Sequence, residues 1–256
     1  MARPLTAPRW IARTVAAALV LVGSLYLFHR VEQFLIRDAR FTLNEPGSSP
    51  ESEGSESLDI SGSTHASARE IRMVFAEDFG QSVYLIPLSD RRASLRNVDW
   101  IKDASVARFW PNRVVVGVSE RKPVAFVTLG SGRPALIDED GVILPPAQDR
   151  FTLPVLIGVT ASDALDTRRE RVKRLLGLMK DLGAAARVVS EVDVSDPDNL
   201  KISEPFEGHL VTLLMGDRNF ALRHQNFVNY YAEIRKKLAS AAVLDLRLED
   251  RITVVK

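Results

Sequence analysis

The sequence predicts an α+β protein: a single N-terminal transmembrane helix, then a small domain of two helices on one sheet, then a mixed β-domain with two helices. Three observations lead there. The run Ile11 to Phe28 is apolar except for Arg13, Thr14 and Ser24. The following stretch, up to Glu120, orders as strand, helix, helix, strand, strand. From Pro123 the texture changes to short alternating runs with turn signals, broken by two amphipathic helical stretches.

The apolar run is read first. Eighteen residues at ~1.5 Å each reach ~27 Å, close to the ~30 Å hydrocarbon thickness of a bilayer. Arg13 lies one turn in, where its stem can reach headgroups, and Trp10 and Tyr26 sit near the two ends, where aromatic rings favour the interface. A cleaved signal peptide would need small residues after the run, and Leu27-Phe28-His29-Arg30-Val31 is bulky and charged. A buried core helix would rarely be so uniformly apolar. The reading is an uncleaved anchor at 11–28 behind a cytoplasmic tail at 1–10. Its orientation is not set by the arginine count: Arg3, Arg9 and Arg13 on one flank balance Arg30, Arg37 and Arg40 on the other. The acid-free tail and the long region after the span favour a cytoplasmic N-terminus.

Composition narrows function. Lys and Arg total 34 against 33 Asp and Glu, a net charge of +1, and the basic residues are scattered among acids, which does not suggest a nucleic-acid binder. The absence of cysteine removes thiol catalysis, disulfides and thiolate zinc sites together. His29, His65, His209 and His224 stand far apart and propose no metal site.

Beyond the span, residues 44–57 contain no hydrophobic or basic residue and four glutamates, and are read as a disordered acidic insertion. Phe41-Thr-Leu43 before it and Leu58-Asp-Ile60 after it read as two parts of one edge strand. Ser67-Ala-Arg-Glu70 is a capping box opening a helix with Ile71, Val74 and Phe75 on its apolar face. Ser89 or Asp90 caps a second helix, with Leu95 and Val98 facing inward. Ala104 to Trp110 and Val114 to Glu120 alternate about a Pro111-Asn112 turn, and Val114, Val116 and Val118 share a face. Next come a meander of hairpins over 124–144, a strand at 153–157 and a helix over about 164–182. The apolar face of that helix is Leu165, Val172, Leu175, Leu176, Met179 and Leu182. Strands at 188–194, 200–203 and 209–215 lead to a last helix over about 222–239, striped by Phe227, Tyr230, Tyr231, Ile234 and Leu238, and to the β-rich ending 242–256.

No catalytic, metal-binding or cofactor-binding residue emerges. Asp138, Glu139 and Asp140 read as a solvated hairpin turn rather than acid–base machinery, since Gly141 follows at once. Gly130-Ser-Gly132 precedes no helix and cannot cradle a phosphate in the usual way. The basic run Arg168 to Arg174 reads as a solvated helix face, and the aromatic stripe near Phe227 as core. One feature suggests interaction: a β-rich terminal segment, Leu244 to Val255, at a sheet border would expose unpaired backbone groups to a strand from another protein. Being paired on both sides is the competing reading.

Ordered motifs then identify a resemblance. The short Arg-bearing tail and span, Leu58-Asp-Ile-Ser-Gly62, Trp100 to Arg108, Phe109-Trp-Pro111, Ser119-Glu-Arg-Lys-Pro-Val-Ala125 and Ile137-Asp-Glu-Asp-Gly-Val-Ile143 together resemble the bacterial cell-division family FtsQ, called DivIB in Gram-positive bacteria. Leu244-Asp-Leu-Arg247 looks like that family's ending. The resemblance implies a POTRA domain over 41–120, its first strand interrupted by the insertion 44–57, and an FtsQ-type β-domain over 121–256. It implies a single-pass inner-membrane protein with its large region extracytoplasmic, at the division septum. Such a protein is a divisome scaffold rather than an enzyme. It binds FtsB- and FtsL-like bitopic partners, meets other divisome components through the POTRA domain, and helps regulate septal peptidoglycan synthesis. The partner-binding residues it implies are Leu248, Glu249, Asp250, Arg251, Ile252, Thr253 and Val254, in the terminal strand, with Leu248, Ile252 and Val254 on one face. Two other classes compete. A POTRA-bearing translocation or outer-membrane assembly protein would carry repeated modules and a barrel, and a wall enzyme would need a nucleophile or metal set.

Overall fold

The computed structural model describes residues 9–45, 57–130, 132–235, 241–248 and 251–255. Most of the acidic insertion expected at 44–57, and Leu238 of the aromatic stripe, lie outside the described residues. The chain divides into two compact units, 1–120 and 121–256.

The first unit opens with α1 (Arg9–Arg37), the only helix among the described residues long and apolar enough to cross a membrane. It continues nine residues past the apolar run and stops where Asp38 caps a 3-10 turn (Ala39–Phe41) by accepting the Arg40 N–H. That turn redirects the chain, and the expected first half of an edge strand does not form. Instead Phe41 to Leu43 pairs with 80–83: Leu43 N–H donates to Gln81, Gly80 N–H to Leu43 and Val83 N–H to Phe41, about a single bridge between Thr42 and Ser82. The Ser82 hydroxyl donates to the Leu35 carbonyl at 2.7 Å, joining this loop to the end of α1.

β1 (Leu58–Ser61) therefore stands alone at the sheet border, parallel to β3 (Arg113–Glu120), which pairs antiparallel with β2 (Ile101–Phe109). A parallel neighbour needs a crossover. It is supplied by α2 (Ala68–Val74) and α3 (Leu88–Leu95). Ser67 caps α2 through its hydroxyl on the Glu70 N–H, as the capping box predicts. α3 starts two to three residues earlier than expected: Pro87 precedes it and gives no side-chain cap, because its ring carries no acceptor for the first-turn N–H groups. Asp90 instead sits in the first turn, where a negative charge suits the helix dipole. Ile71, Phe75, Leu95, Val114 and Val116 are buried, each worth ~1.5–3 kcal/mol of transfer free energy. Asp78, almost wholly buried, is held by a two-pronged Arg91 at 2.7 and 2.9 Å, tying the end of α2 to α3.

The second unit is one nine-stranded sheet among the described residues. Its strands are β4 (Pro123–Thr128), β5 (Pro134–Asp138), β6 (Ile143–Leu144), β7 (Val155–Ile157), β8 (Glu191–Asp193), β9 (Leu200–Phe206), β10 (His209–Gly216), β11 (Ala241–Asp245) and β12 (Thr253–Val255). They lie in the order β12-β11-β10-β9-β8-β7-β4-β5-β6. α4 (Leu165–Leu182) and α5 (Phe220–Ile234) contribute Val172, Leu175, Phe227 and Tyr231 to the same apolar cluster as Ala125, Ile202 and Leu213 of the strands. The buried stripe of α4 uses Leu178, while Leu165 and Leu176 lie outward; the steps 172, 175, 178, 182 hold one face, and Leu176 falls at its margin. Tyr230 also departs from the expected stripe, being half-exposed beside a buried Tyr231.

Two glycines of the first unit separate steric from conformational demand. Gly62 and Gly80 share a left-handed φ near +80°, but a Cβ on Gly62 would lie 2.2 Å from the Val118 carbonyl oxygen, whereas Gly80 faces open space. Gly80→Ala should cost ~1–2 kcal/mol, the left-handed penalty alone, and Gly62→Ala measurably more. Urea unfolding followed by the fluorescence of buried Trp100 reads both; equal costs would refute the steric account.

Candidate partner-binding edge

The end of the second unit is built by a crossover. After β10, α5 carries the chain back so that β11 lies parallel to β10, with Leu213 opposite Leu244. β12 then folds antiparallel onto β11, Leu244 opposite Val254, and forms the border of the sheet. Thr253, Val254 and Val255 are all exposed. An outermost strand presents alternate N–H and C=O groups away from its one neighbour.

The chain leaving β11 is held by a clamp. Asp245 accepts the Arg247 N–H at 3.0 Å and its guanidinium at 2.9 and 2.6 Å. The Arg247 guanidinium, helped by the backbone N–H and opposed by partial burial, holds the Asp245 carboxyl below the usual carboxylate range. Behind the clamp, buried Arg223 of α5 donates to the carbonyls of Met215 and Arg247, fixing the crossover from inside. Gly216 takes a left-handed φ of +69° there, and a Cβ would also meet the Arg223 guanidinium. The Arg223 Nε is buried with no hydrogen-bond partner among the described residues.

Beside the clamp lies a cavity of about 390 Å³ lined by Arg223, Asn226, Tyr230, Leu248, Arg251 and Ile252, with Ile234 and Leu246. Of the residues expected to bind a partner, Thr253 and Val254 stand in β12, while Leu248, Arg251 and Ile252 face the cavity; Glu249 and Asp250 lie outside the described residues. Among the described residues the expected alternation of Leu248, Ile252 and Val254 against Arg251 and Thr253 is not seen: β12 begins only at Thr253, and Arg251 lines the cavity together with Leu248 and Ile252. Arg223, Asn226 and Tyr230 were not legible as site residues. The available signal was a charge on a buried stripe: Arg223 and His224 precede Phe227 at helical spacing, and both are buried. His224 meets Glu204 of β9 at 3.0 and 3.2 Å, which satisfies that pair internally.

Elsewhere the chemistry-bearing residues do structural work. Asp138 is buried rather than solvated, ion-paired to Arg121 at 2.7 Å and accepting the N–H groups of Asp140 and Val142, so it organises the β5–β6 turn. In the basic run of α4, Arg169, Arg171 and Arg174 pair with Asp166, Asp163 and Glu170. Among the described residues no three His, Asp or Glu side chains gather as a metal site.

Comparison with known proteins adds the following. Residues 55–121 match the family described as POTRA domain, FtsQ-type, and residues 125–247 match Cell division protein FtsQ/DivIB, C-terminal. The chain is 32% identical over 249 residues to Cell division protein FtsQ of Koribacter versatilis (strain Ellin345), covering 94% of this chain and 68% of the relative. It is similar at 25% identity to the FtsQ of Geobacter sp. (strain M21), covering 78% and 75%, and at 29% to that of Rhodothermus marinus (strain ATCC 43812 / DSM 4252 / R-10), covering 77% and 76%.

The depressed Asp245 carboxyl gives the clamp a defined pH dependence. Its ion pair stabilises the fold above the unfolded carboxylate value of ~3.9 and is lost as pH falls through the lower folded value. Backbone exchange at Arg247 should therefore accelerate only in acid in the unaltered chain, beyond the intrinsic pH trend. In Asp245→Ala, which removes the acceptor, it should be fast at neutral pH already. Equal protection in the two proteins at pH 7 would show that the clamp does not hold this segment.

Proposed function

The chain belongs to the FtsQ/DivIB family of bacterial cell-division proteins, and from that premise we propose that it is a divisome scaffold that docks a strand of a bitopic FtsB- or FtsL-like partner along β12. The observation that carries this reading is the border strand, paired on one side among the described residues, beside a cavity with a buried, incompletely bonded arginine. Backbone hydrogen bonds to β12 supply affinity, and a side chain of the added strand entering the cavity supplies selectivity. Arg223 and Arg251 favour a carboxylate there, while Leu248 and Ile252 offer apolar walls. Such a protein does no chemistry of its own. It controls septal peptidoglycan synthesis by gathering the proteins that perform it.

The rest of the molecule fits that role. α1 serves as a single-pass inner-membrane anchor with the large region extracytoplasmic, and the first unit, joined directly to α1, recruits other divisome components.

Truncating the chain before Leu248 should abolish partner binding and septation while leaving membrane insertion intact. Retained binding by the truncated chain in a pull-down with the partner's extracytoplasmic region would refute the edge-strand reading. Separately, a fluorescent fusion on the N-terminal tail should form a midcell band in dividing cells. A uniform membrane signal would count against the division role.

A further inference from the structure

Three aromatic side chains form a continuous ladder where α1 enters the first unit. The Phe34 and Phe41 rings meet edge to face at 5.6 Å, and Phe41 and Trp110 do so at 5.5 Å. Phe34 is 48% exposed, Trp110 52% and its neighbour Phe109 54%, with Phe41 half-buried between the first two, so the ladder presents apolar surface to its surroundings. Rings packed in this way on a tight β2–β3 turn are not loose surface residues. Arg108, next in line, donates to the carbonyls of Val83 and Ile86 and fixes the base of the turn. Arg40 lies 5.6 Å over the Phe34 ring and is paired to Asp38, and Arg30 and Arg37 are exposed on the same stretch of helix.

The level of this patch follows from helix geometry. Ile11 to Phe28 covers ~27 Å against ~30 Å of hydrocarbon, which puts the boundary near Arg30. Phe34 then lies four residues, ~6 Å, beyond it, within a headgroup layer ~5–8 Å deep. Trp110 is joined to Phe34 by two ring contacts, through Phe41. Aromatic rings and arginines favour this zone, and an exposed apolar patch continuous with a membrane span has the bilayer itself as its nearest apolar surface.

We propose that the Phe109–Trp110 turn, with Phe34, inserts into the lipid headgroup layer and docks the first unit on the membrane surface as a second attachment beside α1. Arg30, Arg37 and Arg40 add attraction for anionic lipids. The docked turn fixes the first unit's orientation against the bilayer, and with it the direction in which the unit offers its remaining faces to other proteins. The proposal rests on α1 crossing the bilayer.

The absence of cysteine makes the test direct, because one introduced cysteine takes one nitroxide label. The full chain, carrying Trp110→Cys, Leu19→Cys or Asp217→Cys, is reconstituted in vesicles of phosphatidylcholine and phosphatidylglycerol. Collision with oxygen and with a water-soluble nickel chelate is then measured by paramagnetic resonance. A label at 19 that is rich in oxygen and shielded from nickel establishes the span. The proposal expects the label at 110 to fall between those at 19 and 217, with nickel collisions reduced and oxygen collisions raised. Nickel access at 110 equal to that at 217, with 19 in hydrocarbon, overturns the docking alone; nickel access at 19 overturns the span and the docking together. Shielding of 110 from both reagents overturns it in favour of contact with a second copy. Phe109→Cys gives an independent reading if the Trp110 variant fails to fold.

Discussion

A sheet that does not close on itself leaves backbone donors and acceptors on its outer strands, and in the second unit that constraint falls on the chain's last described segment. α5 returns the chain so that β11 runs parallel to β10, and β12 is then laid outside β11 with no strand beyond it among the described residues. Three devices hold this border in place. Arg223 bonds two carbonyls from opposite sides of the crossover, Gly216 leaves room for its guanidinium, and Asp245 clamps Arg247 to end β11. Arg223 and Asp245 use charged side chains to settle backbone groups that the sheet itself leaves over. The result is a border strand that is positioned firmly and paired on one side.

The same economy of backbone partners shapes the first unit. Glu120, at the end of β3, accepts the N–H groups of Thr64, His65 and Ala66 and the His65 ring at 2.6–2.8 Å. Burial pushes its carboxyl upward, but the Ala66 N–H, the His65 ring and the remaining N–H groups outweigh it and hold the carboxyl below its ordinary range. His65 in turn stacks on Trp100 at 4.6 Å. One carboxylate thus closes the loop between β1 and α2 onto the strand beside it. At the other end of the unit, Ser82 and the Phe34–Phe41–Trp110 ladder join α1 to the same body.

Much of this was legible in the sequence because it rests on local signals. The α+β class, the capping box at Ser67, the β2–β3 hairpin and the anchor-like run follow from period, caps and turns. What escaped depended on partners distant in the chain. Nothing near Asp138 announces Arg121 as its buried partner, so a turn of three acids reads as solvated. Phe41 to Leu43 has a strand's composition, but its backbone finds Gln81 and Val83 after the Asp38 turn. The ending divided in the same way: the β-rich pattern marks the strand that holds Thr253 and Val254. Arg223, Asn226 and Tyr230 enter only because α5 folds back over the ending. A two-residue period read from Leu248 assumes one continuous strand, whereas β12 begins only at Thr253.

The proposed function requires β12 to be completed by a strand from another protein. Residue-resolved hydrogen exchange of the full chain, with and without the extracytoplasmic region of an FtsB-like partner, tests that directly. Completion of the sheet predicts protection of alternate amides in Thr253–Val255, those facing away from β11, with the β11-facing amides little changed. Unchanged exchange across the whole strand while the partner is bound would contradict it, placing the partner on a face of the molecule other than this edge.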